Sequence, residues 1–422
     1  MDVQKLSALS PAELDAIHNR DTGLDAIRND VRDIINQVRT DGDEALYEFN
    51  RRFDDVDSDT LVATDAISGA ADVIDEDVRY ALEVAIDRVR AFHERQRRDD
   101  WTDDFEGLTL GRQFRPIERV GAYVPGGSAA YPSTVIMTVV PAKVAGVEEV
   151  AVVTPPADEI NPVTLAALDL AGADEVYTVG GAQAIAALAY GTDSIPPVEK
   201  IVGPGNRWVA AAKADVRGDV AIDMIAGPTE VLILADETAT PKYVAAELVA
   251  QAEHDPHSSA VAVTPDETVA EAVVDEVDRQ ISDLDRSDTI REALANDSSG
   301  VFLADSMTDA TTFAESYAVE HLVVQTANQK EVVDAIDSAG SVFMGEYSPV
   351  AVGDYASGTN HVLPTSGAAR TTGGLSIDTF VRSRTVQELD REGLESISEA
   401  VVTLAELEGL DAHAESVRTR LE

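Results

Sequence analysis

The side chains best suited to bind a metal ion lie in the second half of the chain. Of the seven histidines, only His18 and His93 precede residue 254. Gln251 and His254 are three positions apart at the end of a predicted helix, 242–254, so they share a helix face and could bind one metal ion. A histidine at the C-terminus of a helix can equally be a favourable cation beside the helix dipole. The spacing therefore indicates a metal site without requiring one.

An acid and an imidazole are adjacent at Glu320 and His321. They stand between a helix predicted to end near Tyr317 and the apolar run 322–324. Both groups can titrate near neutral pH after modest changes in environment, so the pair is suited to proton transfer. An ordinary surface dipeptide is the alternative interpretation.

The segment 353–365 is dense in polar side chains and contains Asp354, His361 and two glycines. This composition is incompatible with regular structure. Polar loops of this kind often bind a ligand, although a turn with capped ends explains the composition as well. His413 lies on the last predicted helix, where a lone histidine is more often a packing or surface residue.

Three glycine-containing loops at 123–128, 179–183 and 203–206 follow or adjoin apolar, strand-like runs. The second and third directly precede predicted helices, which would present backbone N–H groups and a positive helix end to a phosphate. None matches the G-x-G-x-x-G fingerprint of dinucleotide-binding folds. Helix caps and tight turns explain these loops nearly as well.

The elements around these residues predict an α/β fold. The first hundred residues are mainly helical and are followed by a hairpin at 101–115 with its turn at Glu106 and Gly107. From Val120 onward, strands alternate with helices, which predicts parallel sheets covered on both faces and ligands at the carboxyl ends of the strands. From Thr385 to the end the chain is predicted to be helical. The predicted helices include 29–39, 43–53, 75–98, 182–190, 207–216 and 242–254, and the predicted strands are 150–153, 176–179, 200–202, 231–235 and 260–263.

The charge of the chain is strongly unbalanced. It has 78 acidic and 32 basic residues, a formal net charge of −46, and only six of the basic residues are lysines. Such a charge repels polyphosphate backbones, so we expect no nucleic-acid partner. An acidic, lysine-poor protein is typical of a cytoplasm with molar salt, where the Debye length is about 3 Å and self-repulsion is screened.

Several classes of protein are excluded by what the sequence lacks. There is no cysteine, which excludes disulfides, thiolate metal sites and cysteine nucleophiles. No apolar run approaches the roughly 20 residues of a membrane helix, and the N-terminus has neither the basic start nor the apolar core of a secretory signal. We therefore expect a cytoplasmic protein without membrane contact.

Taken together, the chemistry-bearing segments resemble the histidinol dehydrogenase family, the zinc- and NAD-dependent enzymes of the last two steps of histidine biosynthesis. The matching segments occur in the order found in the family, and the loop with Asp354 and His361 is the most specific of them. They are 121–127, 180–184, 203–206, 223–224, 226–230, 251–254, 320–322, 353–365 and 410–417.

The resemblance implies roles for individual residues. Glu320 and His321 are the expected acid/base pair. Thr229 is expected at a substrate position where the family more often has Ser, so the hydroxyl is kept and a methyl is added. The expected zinc ligands, which also contact the substrate together with His321, are Gln251, His254, Asp354 and His413. The other expected substrate contacts are His361 and Glu408, and the expected NAD contacts are Tyr123, Gln183 and Asn206.

The resemblance also implies an architecture: two Rossmann-like parallel-sheet domains, a short N-terminal extension and a helical C-terminal tail. We expect a homodimer that exchanges its tails, so that Glu408 and His413 complete the partner's site. The alternative functions are a zinc hydrolase in which Glu320 activates water, and a metal-bound structural dimer without catalysis. The predicted extents are 1–20 for the extension, 21–119 with 230–375 for the first domain, 120–229 for the second, and 376–422 for the tail.

Overall fold

The computed structural model describes residues 1–18, 20, 23–126, 130–282 and 284–422. Gly127 and Ser128 of the first glycine loop lie outside the described residues. The strands are β1 (Val3–Lys5), β2 (Trp101–Phe105), β3 (Leu108–Pro116), β4 (Arg119–Tyr123), β5 (Glu149–Thr154), β6 (Glu175–Thr178), β7 (Lys200–Val202), β8 (Ala221–Ile222), β9 (Glu230–Ala235), β10 (Ser259–Thr264), β11 (Gly300–Leu303), β12 (His321–Gln325), β13 (Ser341–Met344) and β14 (Val381–Leu389).

The helices follow the same α/β alternation. Pro132, Pro162 and Pro241 stand in the first turn of a helix, where the missing N–H costs nothing. The helices are α1 (Pro11–His18), α2 (Leu24–Asp41), α3 (Asp43–Phe53), α4 (Glu76–Glu94), α5 (Pro132–Ala145), α6 (Pro162–Ala171), α7 (Gly181–Tyr190), α8 (Arg207–Val216), α9 (Pro241–Ala252), α10 (Glu267–Ile281), α11 (Ser287–Ala295), α12 (Met307–Tyr317), α13 (Gln329–Val333), α14 (Val350–Tyr355), α15 (Arg391–Leu407) and α16 (Asp411–Leu421).

Two parallel sheets form the framework, as predicted. The first sheet has six strands in the order β1-β11-β10-β9-β12-β13. The second has five strands in the order β6-β5-β4-β7-β8. The central strands β9 and β10 are buried along their whole length, which explains why they read as continuous apolar runs rather than as alternating patterns.

A third, antiparallel sheet corrects the prediction for the tail. Residues 381–389, expected to be helical from Thr385 onward, form β14, which pairs with β3 along nine residues. The predicted hairpin is confirmed as β2 and β3. The isolated tail sequence carries no sign of this pairing, because β3 lies about 270 positions earlier. After β14 the chain is helical, as predicted, and forms the α15–α16 hairpin.

The N-terminal part of the chain packs differently from the predicted grouping. Residues 3–5, expected in an extension, form an edge strand of the first sheet. The predicted domains group residues 21–119 with 230–375, whereas in the structure α2 and α3 contact α7 and α8 of the second sheet, and α4 contacts α5 and α6. The apolar side chains of α2 and α3 join Val153, Ile185 and Ile201 in one core. The borders at 119 and 229 stay predictions.

None of the helices in the described parts of the chain is both long enough and apolar enough to cross a membrane.

Candidate active site

A cleft of about 450 Å³ separates the two parallel sheets. Thr229, Glu320 and His321 line it from the first sheet, and Tyr123 and Asn206 line it from the second. The second sheet contributes the carboxyl ends of its strands, as predicted. The first contributes the amino ends, since Thr229 precedes β9 and His321 begins β12. For the first sheet the prediction was wrong, because Thr229, Glu320 and His321 lie at the starts of β9 and β12 rather than at their carboxyl ends.

Glu320 is buried at the base of this cleft. Its Oε2 accepts hydrogen bonds from Thr229 Oγ1 at 2.6 Å and from the backbone N of Glu230 at 2.8 Å. Burial raises the pKa of Glu320 to about 8, although both bonds favour the carboxylate. A buried carboxylate whose pKa lies near neutral pH is suited to accept a proton from water.

His321 lies beside Glu320 and has a defined tautomer. Its Nδ1 is 2.9 Å from the backbone oxygen of Glu230. A carbonyl only accepts hydrogen bonds, so Nδ1 carries the proton and Nε2 presents a lone pair. Nε2 is buried without a hydrogen-bond partner in the described residues and lies 3.8 Å from Asp354 Oδ1. Burial also lowers the pKa of His321, which favours the neutral ring that can act as a base.

Three of the four expected zinc ligands are associated with this cleft. His254 and Asp354 line it, and Gln251 Nε2 donates to Thr229 Oγ1 at 2.6 Å, so the Gln251 amide is held beside the cleft wall. Helix α9 ends at Ala252, so His254 stands two residues past the helix rather than on it. Burial lowers the pKa of His254 and raises that of Asp354 to about 6.

The fourth expected ligand is not at this cleft in its own chain. His413 and Glu408 lie on the exposed α15–α16 hairpin and are not among the described residues that line the cleft. In the described ranges, no three His, Cys, Asp or Glu side chains of one chain come together as a metal-binding group. Of the four expected ligands, one chain therefore brings an imidazole, a carboxylate and an amide to the cleft or beside it.

His361 is part of the cleft wall. Its Nδ1 donates to the backbone oxygen of Asp354 at 3.0 Å, and burial lowers its pKa to about 4. The ring is therefore neutral, with Nε2 as an acceptor. The segment 353–365, predicted to be an irregular loop, is helical up to Tyr355 and irregular after it.

Two of the three expected NAD contacts line the cleft. Tyr123 and Asn206 line the cleft, and the Tyr123 hydroxyl accepts from the Gly181 N–H at 3.1 Å. Asn206 also caps α8, because its Oδ1 accepts from the N–H groups of Trp208 and Val209. Gln183 is buried against Gly181 and is not among the described cleft-lining residues.

Sequence reasoning missed an ion pair directly behind the acid/base residues. Arg20 Nη1 lies 2.9 Å from Glu230 Oε2, and both side chains are at most 5% exposed. The Arg20 guanidinium also lies over the ring of Tyr317 at 3.9 Å. Glu230 further accepts from the N–H groups of Ser366 and Glu320. A charged residue at the start of an otherwise apolar strand was the available signal.

A second buried pair supports the third glycine loop. Lys213 on α8 forms an ion pair with Asp223, and both are almost fully buried. Lys213 Nζ also donates to the Gly203 oxygen at 3.0 Å, while Asp223 Oδ2 accepts from the Gly203 N–H at 2.8 Å. Both backbone groups of Gly203 are thus held, which fixes the loop that leads to Asn206.

Comparison with known proteins gives a consistent result over the whole chain. A family model described as histidinol dehydrogenase matches residues 17–421. Histidinol dehydrogenase from Haloarcula marismortui is 60% identical over 422 residues, with 100% of both chains covered. The enzyme from Halobacterium salinarum is 58% identical over 423 residues, again with 100% of both chains covered.

The fold comparison agrees. The crystal structure of histidinol dehydrogenase from Elizabethkingia anophelis superposes with a TM-score of 0.92 at 36% identity, covering 98% of this chain and 96% of that one.

Proposed function

Since the chain belongs to the histidinol dehydrogenase family of histidine biosynthesis, we propose that its cleft oxidises L-histidinol to L-histidinal and then to L-histidine, with two NAD and one water. The observation that carries the proposal is the pair Glu320 and His321. Two proton acceptors lie side by side, both more than 90% buried, and each is held by hydrogen bonds that leave one basic site free.

The donor set fits zinc. Gln251, His254 and Asp354, with His413 of the partner subunit, offer an amide oxygen, two imidazoles and a carboxylate, which are nitrogen and oxygen ligands that zinc accepts. Thr229 accepts from Gln251 Nε2, which leaves the Gln251 carbonyl oxygen for a ligand bond. When bound, zinc would supply a Lewis acid that holds the substrate in place, and NAD would supply the hydride acceptor.

The first oxidation needs a base for the alcohol proton. His321 Nε2 provides it, because Nδ1–H is already committed to the Glu230 carbonyl. As the C–H bond of the carbinol carbon gives up hydride to NAD, His321 takes the O–H proton and the carbonyl of the aldehyde forms.

The second oxidation needs an activated water. Glu320 takes one proton from water while the hydroxyl oxygen bonds to the aldehyde carbon. The resulting R–CH(OH)–O⁻ adduct then gives a second hydride to NAD and becomes the carboxylic acid, which loses its proton to solvent to give the carboxylate. The absence of cysteine excludes the thiolate that could otherwise hold the aldehyde. The hydrogen bonds from the Thr229 hydroxyl and from the backbone N–H of Glu230 hold the Glu320 carboxylate in one orientation for this step.

The stoichiometry of NADH formation tests the proposal. Purified protein in molar KCl, given L-histidinol and excess NAD, should form about two NADH per histidinol consumed. Zinc should be present by metal analysis, and a chelator should remove zinc and activity together. A zinc hydrolase would form no NADH, and this outcome would exclude the proposed oxidation.

We also propose that the active form is a dimer that shares its sites. Glu408 and His413 lie away from the cleft of their own chain, and the α15–α16 hairpin exposes the apolar residues Leu404, Leu407 and Leu410. Mixing and refolding Glu320→Gln, which should not complete the second oxidation, with His413→Ala, which should lose zinc, tests the exchange when histidine formation is measured. A mixed dimer would contain one intact site, so roughly a quarter of wild-type activity should return. Sites built within one chain would give no recovery.

Finally, we propose that the enzyme acts in a cytoplasm with high salt and binds neither nucleic acid nor membrane. The formal charge of −46 and the similarity to enzymes of haloarchaeal species support this proposal.

A further inference from the structure

A buried glutamate connects two of the elements that carry proposed zinc ligands. Glu247 lies on α9, one helical turn before Gln251, and its side chain belongs to the buried part of that helix. Its Oε2 accepts a hydrogen bond of 2.9 Å from the backbone N–H of Val350, the first residue of α14. Asp354 lies one turn after Val350 on the same short helix. The hydrogen bond therefore joins α9, which carries Gln251, to α14, which carries Asp354.

Helix α14 depends on its surroundings for its position. It has only six residues, and an isolated helix of that length is unstable in water. Its N-cap residue, Pro349, makes no side-chain capping bond. The Val350 N–H is one of the groups that a helix N-terminus leaves without a partner, and the Glu247 carboxylate satisfies it from outside the helix.

Packing fixes the other side of α14. Val350 is buried in the core of the first sheet together with Phe343. Gly353 lies so close to Phe343 that an added Cβ would come within 2.7 Å of the ring. The helix therefore has little freedom to slide, and the Glu247 bond sets its distance from α9.

The free-energy cost of burying the Glu247 carboxylate argues against a role that is only to fill space. The residue is only 8% exposed, and its carboxylate accepts one hydrogen bond within the described residues, from the Val350 N–H. Burial raises the pKa of Glu247, which shows that the site disfavours the charge. An apolar residue would fill the same volume at a lower desolvation cost.

We propose that Glu247 is a positioning residue for the metal centre: by capping α14 from α9, it sets the separation of Gln251 and Asp354. The inference rests on the proposed function, because it uses the zinc ligands assigned there. Loss of a partner that orients metal ligands typically weakens metal binding by about 10- to 100-fold.

Zinc release provides the test. Wild-type holoenzyme, Glu247→Met and Glu247→Gln are mixed with an excess of a chromogenic chelator, and the rate of zinc loss is followed together with the thermal midpoint. Met fills the volume without accepting a hydrogen bond, whereas the Gln oxygen can still accept from Val350. We expect zinc loss about 10- to 100-fold faster for Glu247→Met and within about threefold of wild type for Glu247→Gln.

Glu315→Met is the matched control. Glu315 on α12 also accepts backbone N–H bonds, from Asp337 and Ser338, but holds no proposed ligand. Glu315→Met should have a lower thermal midpoint than wild type but should release zinc at the wild-type rate.

A second variant removes the same bond from its other partner. Val350→Pro deletes the N–H at the first helical position, where proline is favoured, and should release zinc as fast as Glu247→Met. It keeps the test valid if Glu247→Met does not fold. Wild-type zinc retention in either folded variant, or fast release from Glu247→Gln, would overturn the positioning role. A wild-type protein that binds no zinc would overturn the metal assignment of the proposed function itself, and the positioning role with it.

Discussion

The hydroxyl of Thr229 connects the proposed base to a proposed zinc ligand. Thr229 Oγ1 donates to Glu320 Oε2 at 2.6 Å and accepts from Gln251 Nε2 at 2.6 Å. Threonine has one methyl more than serine, and its hydroxyl still makes both hydrogen bonds. This Thr229 bridge therefore links the side chain proposed to take a proton from water to a side chain proposed to bind zinc.

Removing the Thr229 hydroxyl should affect catalysis without unfolding the chain. Thr229→Val keeps the shape but loses the bond to a carboxylate, worth about 1.5–3 kcal/mol, so kcat/KM for histidinol should fall about 10- to 100-fold. Thr229→Ser keeps the hydroxyl and should stay within about threefold of wild type. Steady-state kinetics measures both, and equal losses in the two variants would contradict the bridge.

Glu320→Gln should separate the two oxidations. The amide cannot deprotonate water, whereas His321 keeps its bond to the Glu230 carbonyl. We expect histidinol oxidation to persist and histidinal oxidation to fall by about 100-fold or more. Single-turnover NADH formation, started separately from histidinol and from histidinal, measures each step. An equal fall in both rates would contradict the division of roles.

Lys213→Met should destabilise the chain and weaken NAD binding. It leaves Asp223 buried without its partner, and breaking a buried pair typically costs about 3–5 kcal/mol. The Gly203 loop also loses one of its two supports, so the KM for NAD should rise more than the KM for histidinol.

The double variant Lys213→Met/Asp223→Leu is the control for that experiment. It removes the unpaired charge and should regain part of the thermal midpoint, because two apolar groups replace the pair. An unchanged midpoint in the single variant would show that the pair does not stabilise the fold.

Asp54 should make stability depend on pH. Burial raises its pKa to about 6 in the folded chain from 3.8, and its Oδ2 is buried without a partner in the described residues. The folded state therefore binds this proton more tightly than the unfolded state. The resulting stabilisation is full below pH 3.8 and is lost as the pH rises through about 6.

Asp54→Asn removes this dependence. At about pH 7.5 it should be more stable than wild type by about 1 kcal/mol, a value reduced from the full shift because the group is partly exposed, and the gain should shrink towards pH 5. Denaturation of NAD-free protein at constant salt measures the difference. Asp59→Asn, at an exposed position nearby, removes the same charge and is the control.

Low salt should destabilise the fold. Lowering the salt from about 3 M to 0.1 M KCl lengthens the Debye length to about 10 Å, so 78 acidic residues repel one another over longer distances. The thermal midpoint should fall by about 10 °C or more. A constant midpoint would contradict adaptation to high salt.

Local sequence signals predicted much of the fold. The helices at 43–53 and 207–216 have the predicted bounds, because each has clear periodicity and a turn at its start. The central strands were recognisable as short apolar runs bounded by turns. The prediction of β14 failed because a nine-residue strand that pairs with a distant partner carries no local marker.

The cleft was predictable only in part. Thr229, Glu320, His321, Asp354 and His361 were marked by the motifs of the resemblance, and the structure places them around one cavity. The direction in which each sheet faces the cleft depends on how the two sheets pack, which no single segment records. The sequence analysis also missed three buried charged residues, Glu230, Glu247 and Lys213. The local sequence cannot distinguish a charged residue that is buried beside a distant partner from one that lies on the surface.

The pairing of β9 with β12 has a consequence for how this enzyme can vary. The group that determines the His321 tautomer is a main-chain carbonyl, so any residue at position 230 provides it. A substitution at position 230 can therefore change the charge next to His321 but not which ring nitrogen of His321 receives the proton. A slip of β12 against β9 would move the carbonyl away from Nδ1, and it would also exchange the side chains on the two covered faces of the sheet.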